Sequence, residues 1–193
     1  GGRSTLVLAD SITNAEAQLK IANEVGPNTQ EIRILRCSKL TTVDLSMLTN
    51  SLVEIYIDGN AVLQNVNLGN LTAVDGGIYV NSCPQLTTFI ISSLKRIGQT
   101  FAGNGSYWGL NVTGTGIQNI DLPVLIEVVG LVDIQNNPAL SNFSMPQLQY
   151  SKFIRFINCP SLANTSFHSL NKVDGFGINA PNQLATVDFS SLT

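Results

Sequence analysis

Apolar residues recur along this chain in aligned columns. One column reads Leu40, Leu63, Leu86, Ile117, Leu140, Leu162 and Leu184. Eight residues after each member stands a leucine: Leu48, Leu71, Leu94, Leu125, Leu148, Leu170 and Leu192. A third column, five after the first, holds Leu45, Leu68, Ile91, Leu122, Met145, Phe167 and Phe189. A fourth, three after the first, holds Val43, Val66, Phe89, Ile120, Phe143, Thr165 and Val187. Four columns kept over seven units, at steps of 22 or 23 residues with one step of 31, mark a repeat architecture.

Ahead of each first-column residue stands an alternating pair: Ile32/Ile34, Ile55/Ile57, Ile78/Val80, Leu110/Val112, Val132/Ile134, Ile154/Phe156 and Phe176/Ile178. Period-two alternation of β-branched and aromatic residues predicts a half-buried strand in every unit. Further short strands are expected near Val43–Leu45 and Val74. A single coil cannot bury its own apolar side, whereas stacked coils set leucine over leucine, each buried large side chain stabilising by roughly 1.5–3 kcal/mol. The pattern predicts a mainly β chain wound as a right-handed parallel β-solenoid of about seven coils.

Residues 11–25 follow a different period. Thr13-x-x-Glu16 forms a capping box, Ala15, Leu19, Ala22 and Val25 fall on one helical face, and Gly26-Pro27 stops the helix. A strand at Leu6–Leu8 and this helix make residues 1–28 an N-terminal cap, with solenoid repeats over 29–193. The last leucine is followed by Thr193 alone, and no cap matches the first. The repeats are therefore expected to continue beyond that point, or the uncapped C-terminal end to serve self-assembly.

Charged residues make up only 12% of the chain, about half the usual share, and Asn, Ser, Thr and Gly supply the polar surface. That composition suits repeated sheet faces in an extracellular or cell-surface setting. The net charge is -3 with lysine and arginine scattered singly, which argues against nucleic acid as a partner. No apolar run approaches the ~18 residues of a membrane span, so no direct membrane insertion is expected within this segment.

Cys37, Cys83 and Cys159 each stand three residues before a first-column residue, where other coils place Asn60, Gly114, Asn137 and Pro181. Coils stack about 4.8 Å apart, so the cysteines lie two and three coils from one another, beyond the ~7 Å Cα reach of a disulfide. Three free, buried thiols are predicted, with no metal site.

Five Asn-x-Ser/Thr sequons are candidate glycosylation sites, at Asn70, Asn104, Asn111, Asn142 and Asn164. Thr42, Asn65, Thr88, Asn119, Asn142, Asn164 and Thr186 form an outward column read as an amide and hydroxyl ladder. Asp44, Asp121 and Asp188 share another column, but the intervening coils carry Asn67, Ile90, Ser144 and Ser166, so the carboxylates do not meet. His168 is the only histidine and has no evident nucleophile partner. No catalytic residue, cofactor or metal is expected, and the chain is read as a non-enzyme.

The candidate contact surface is the outward side of the predicted strands, with Arg33, Tyr56, Tyr79 and Arg155, residue types enriched at binding hot spots. The 31-residue step marks an insertion, Phe101–Gly109, which carries Tyr107 and the only tryptophan, Trp108. Trp108 either packs over the irregular coil or meets a partner.

Phrases such as Leu131-Val-Asp-Ile-Gln-Asn-Asn-Pro-Ala-Leu140, Ile154-Arg-Phe-Ile-Asn-Cys-Pro-Ser-Leu162 and Leu170-Asn-Lys-Val-Asp-Gly175 resemble receptor L-domains. These are the leucine-rich-repeat-like β-helices of insulin- and EGF-receptor ectodomains and of fungal GPI-anchored cell-wall glycoproteins. The resemblance covers nearly the whole chain and marks architecture, not chemistry. It implies extracellular display, a protein or glycan partner at the cell surface, and glycosylation. The chain departs from receptor L-domains in lacking a disulfide framework near its ends. The expected function is a non-enzymatic structural or adhesive surface glycoprotein. The alternative is the ligand-binding ectodomain of a receptor.

If the columns face inward, Leu86→Ala destabilises by about 2–5 kcal/mol and Leu86→Asp unfolds the middle coils. Tyr79→Ala leaves the melting temperature near that of the wild type. Thermal melts with the reverse order would overturn the inward and outward assignments.

Overall fold

The computed structural model describes residues 2–99, 109–179, 187 and 189–193, with the backbone alone at Asn164. The chain opens with β1 (Thr5–Ala9), α1 (Asn14–Glu24), β2 (Glu31–Leu35), β3 (Thr42–Asp44), β4 (Ser51–Asp58), β5 (Asn65–Asn67), β6 (Ala73–Cys83) and β7 (Thr88–Ile90). It continues with β8 (Arg96–Ile97), β9 (Leu110–Thr115), β10 (Asn119–Asp121), β11 (Glu127–Gln135), β12 (Asn142–Ser144), β13 (Tyr150–Ile157), β14 (Asn164–Ser166) and β15 (Lys172–Asn179). All pairings are parallel and join successive coils. A nine-stranded sheet runs from β1 to β15, and two three-stranded sheets, β3-β5-β7 and β10-β12-β14, line another side. The result is a parallel β-solenoid of about seven turns.

The columns lie where the period places them. Leu40, Leu63, Leu86, Ile117, Leu140 and Leu162 are buried, as are the leucines eight residues on, from Leu48 to Leu170. Register pairs such as Ile32↔Ile55↔Ile78↔Leu110 stack the strand residues. Toward the last coils phenylalanine replaces the aliphatics, and Phe143, Phe156, Phe167, Phe176 and Phe189 pack ring against ring at 4.8–6.4 Å. Leu192 departs from its column and is 42% exposed. Leu184, Thr186 and Pro181 lie outside the described residues.

Every described coil turns the same corner. Asp10, Arg36, Gly59, Ser82, Gly114, Asn136 and Asn158 have φ between 49° and 69°, the left-handed region that Gly, Asn and Asp enter most easily. The next residue in each later coil is buried: Cys37, Asn60, Cys83, Thr115, Asn137 and Cys159. The amides here tie coil to coil. Asn60 Oδ1 accepts the Cys37 N–H at 2.9 Å while its Nδ2 donates to the Ile34 carbonyl at 2.9 Å. Asn137 Oδ1 accepts the Thr115 N–H at 3.1 Å and the Thr115 hydroxyl at 2.7 Å, and its Nδ2 donates to the Val112 and Gln135 carbonyls.

Gly114 is not the member of this column; Thr115 is, paired with Cys83. The corner from Cys37 to Leu40, and its equivalents at Asn60, Cys83, Asn137 and Cys159, spans three residues, but Thr115 to Ile117 spans two. The usual turn bond, as from Leu86 N–H to the Cys83 carbonyl, is replaced by the Ile117 N–H donating to Thr115 Oγ1 at 3.3 Å. In this coil the side sheet divides into two, between β7 and β10. In the same coil the long sheet divides as well: β8 and β9 share the place of one strand between β6 and β11, with the insertion between them. At the foot of β9 a side chain on Gly109 would run into the Leu131 backbone, so that position admits glycine alone.

The helix forms with its capping box intact: Thr13 Oγ1 accepts the Glu16 N–H at 3.2 Å and the Glu16 carboxylate accepts the Thr13 N–H at 3.3 Å. Its buried face is not the expected one. Ala17 and Ile21 are inside, while Ala15 and Ala22 are exposed and Leu19 is 65% exposed. Asn14 decides the rotation, its side chain accepting from the Thr41 N–H at 2.9 Å and donating to the Thr41 hydroxyl at 2.8 Å. Asn14, Ala17 and Ile21 are spaced i, i+3, i+7 and share one face.

Thr165, the one polar member of its apolar column, keeps a buried hydroxyl with no hydrogen-bond partner. Thr165→Val therefore stabilises by about 1 kcal/mol, whereas Asn137→Ala destabilises by about 3 kcal/mol, because it strands several buried backbone groups. Urea unfolding midpoints check both. A neutral Asn137→Ala would remove the polar corner from the account of coil stacking.

Candidate functional site

Parallel pairing carries one outward position across the whole long sheet. Val7, Arg33, Tyr56, Tyr79, Asn111, Asp133, Arg155 and Gly177 are register partners in sequence from coil to coil. Because Ile32, Ile34 and their equivalents point inward, strand alternation turns this row outward. Four of the six candidate contact residues thus fall in a single line. Tyr107 and Trp108 lie outside the described residues.

The row holds two clusters. In the first, the Arg33 guanidinium lies 3.5 Å from Glu31, 3.9 Å from Glu54, and 5.9 Å from the centre of the Tyr56 ring. Tyr56 and Tyr79 follow at 5.9 Å between centroids, tilted by 47°. Cation, ring and ring are spaced by the coil repeat itself, a cation–π contact at such a site being worth about 0.5–1 kcal/mol. Burial, with Glu54 and Tyr56 adding to it, pushes the Tyr79 phenol up, so it stays protonated.

The second cluster differs from the expectation of an available arginine. Arg155 grips Asp133 with Nε at 3.0 Å and Nη2 at 2.6 Å. Gln135 Nε2 adds bonds of 2.8 and 3.0 Å to the same carboxylate. Asp133 is outward in register yet only 6% exposed, enclosed by these partners. The two-pronged geometry is the strong form of the ion pair. It fixes Arg155 as a brace between neighbouring coils beside an apolar crevice of Leu131, Val132 and Phe153. The Phe153 ring lies over Gly175, where any side chain would strike it. The pairing of Arg155 with Asp133 was not among the expectations from sequence. The available signal was an acid and a base one coil apart at the same strand position.

The remaining polar columns are structural or separate. Asp44 Oδ1 accepts the Ser46 N–H at 3.0 Å and Asn67 Oδ1 the Gly69 N–H at 2.9 Å, so this column builds turns. Hydrogen bonds from the Ser46 side chain and backbone hold the Asp44 carboxyl below its usual range. Register pairs place Asn67 and Ile90 beside Asp44, and Ser144 and Ser166 beside Asp121, which keeps the two carboxylates apart. Asp188 lies outside the described residues. His168, expected without a partner, has Nδ1 3.1 Å from Ser166 Oγ at an exposed turn. Among the described residues no carboxylate bonds the imidazole.

Of the sequon side chains, Asn70 is exposed in the turn after β5 and donates to the Ser46 carbonyl at 2.8 Å. Asn111, half-buried, accepts from the Thr113 hydroxyl, and Asn142, half-buried, donates to Asn119 Oδ1 at 2.6 Å as a rung of the foreseen ladder. Asn104 lies outside the described residues.

All three cysteines are free and buried. The Cys37 thiol donates to the Leu8 carbonyl at 3.4 Å, and Cys159 to the Ile157 and Ile134 carbonyls at 3.5 and 3.8 Å, a weaker version of the asparagine's coil-bridging role. Burial pushes all three thiols up, Cys37 to about 11.

No protein-family model, curated protein or solved structure matches this chain.

The thiols test this interior directly. In native protein at pH 8 they resist a thiol reagent for hours, and all three react at once in strong denaturant. Each thiol's acidity is weaker folded than unfolded, so its stabilisation is complete below the ordinary value of 9.0 and is lost as pH rises toward about 11 at Cys37. Rapid modification of native protein would place a cysteine outside the core.

Proposed function

We propose that this chain is a non-enzymatic scaffold of the cell surface or extracellular space, with a structural or adhesive role, that holds a protein or glycan partner on the outer face of its long sheet. The observation that carries the reading is the Arg33–Tyr56–Tyr79 row, a cation and two half-exposed rings aligned over three consecutive coils. Tyrosine and arginine offer large contact area with polar tips, the combination enriched where binding energy concentrates. A rigid solenoid presents such a row without ordering a loop, which lowers the entropy lost on binding. Low charge and abundant surface amides and hydroxyls support the extracellular setting, and the repeat pattern supports likeness to receptor L-domains.

The receptor-ectodomain reading draws on the same row. Discrete monomers by light scattering favour it, while concentration-dependent oligomers favour an assembly subunit.

Labelled chain applied to intact source cells or isolated wall material tests the contact face. Arg33→Ala/Tyr56→Ala/Tyr79→Ala together reduce binding at least tenfold with the melting temperature preserved, while Asp44→Ala has no effect. Binding indifferent to the triple change would discard this face, and native protein whose mass is unchanged by deglycosylation would count against the extracellular setting.

A further inference from the structure

We infer that Asn70 carries an N-linked glycan and that Asn111 and Asn142 do not, so the sugar stands on the turn edge and the outer sheet face stays bare. The inference rests on the extracellular reading above. The modification joins Asn Nδ2 to C1 of an oligosaccharide donated by a lipid diphosphate. The C1–oxygen bond to the diphosphate breaks, the amide gives up one proton, and the lipid diphosphate leaves.

Geometry separates the three sites. Asn70 is exposed and lies in a turn, outside the strands. Its bond to the Ser46 carbonyl uses one of the two amide hydrogens, and the glycosidic link replaces the other, so the 2.8 Å contact survives modification. One coil earlier, at the equivalent position and adjacent to Ser46, Met47 is 54% exposed. The first sugar has an apolar side chain to rest on in place of a crowded neighbour. Coil spacing forbids the same arrangement elsewhere. Asn142 stands in β12 between Asn119 and Asn164, each about 4.8 Å away along the stack, so a sugar there would meet a neighbouring rung on either side. Asn111 stands in β9 between Tyr79 and Asp133, where a sugar would sit against the aromatic row.

The test is glycopeptide mapping of the chain secreted behind a signal sequence from a eukaryotic host, with occupied asparagines marked by enzymatic release in heavy-oxygen water. The expected result is Asn70 occupied in most molecules, with Asn111 and Asn142 below a tenth of its level. Asn70→Gln removes one glycan's mass, while Asn111→Gln and Asn142→Gln leave the mass unchanged apart from the substitution. An empty Asn70, or comparable occupancy at Asn111 or Asn142, overturns the inference. The same mapping on native material keeps the two readings apart. Asn70 occupied in the host and bare in native protein sinks the extracellular setting and leaves the geometry standing.

Discussion

Side chains one coil apart lie one strand spacing apart, and everything else in this protein follows from keeping that alignment. Leucine on leucine supplies the driving force, but an apolar stripe alone tolerates sliding. The corner removes that freedom. A left-handed residue turns the chain, and the next side chain, Asn60 or Asn137, reaches back to the preceding coil to satisfy an N–H and a carbonyl that water cannot reach. Where cysteine stands at the corner, a thiol makes the weaker bond, and its burial keeps it protonated.

The same alignment writes the outer surface. A residue type at an outward strand position has its counterparts about 4.8 Å to either side, so like and unlike neighbours are set by the repeat. Arg33, Tyr56 and Tyr79 become a row in this way, and Asp133 and Arg155 become a brace. The first arrangement sets two half-exposed rings in line with a cation that Glu31 and Glu54 flank. The second consumes the charge of Arg155 inside the protein, so the two ends of one row differ in use. The low charge of the chain fits this economy, since like charges stacked at such spacing would repel along the whole solenoid.

The fourth coil shows how little is needed to break the order locally. The corner from Thr115 to Ile117 is one residue shorter, the Thr115 hydroxyl supplies the acceptor that the shortened turn lacks, and the side sheet divides in the same coil. In sequence, the insertion falls between β8 and β9 of that same coil. Beyond it, pairing resumes in β11 with both β8 and β9, so the disturbance is confined.

Columns of spacing 22 and 23 were enough to place the strands, the leucine interior, the isolated thiols and the outward row, because each depends only on distance along a repeating chain. The capping box at Thr13 was equally local. What needed the folded molecule were relations between coils or between elements of different period. The helix rotation depended on Asn14 finding Thr41, not on its most apolar stripe. Thr115 replaced Gly114 at the buried corner because a missing residue shifts the count. Asp133 is enclosed although its strand position is outward, since Arg155 and Gln135 fold over it, and Ser166 meets His168 through a turn the column pattern does not describe. Sequence spacing determines which residues are stacked; only the packing of neighbouring side chains decides which of them remain available.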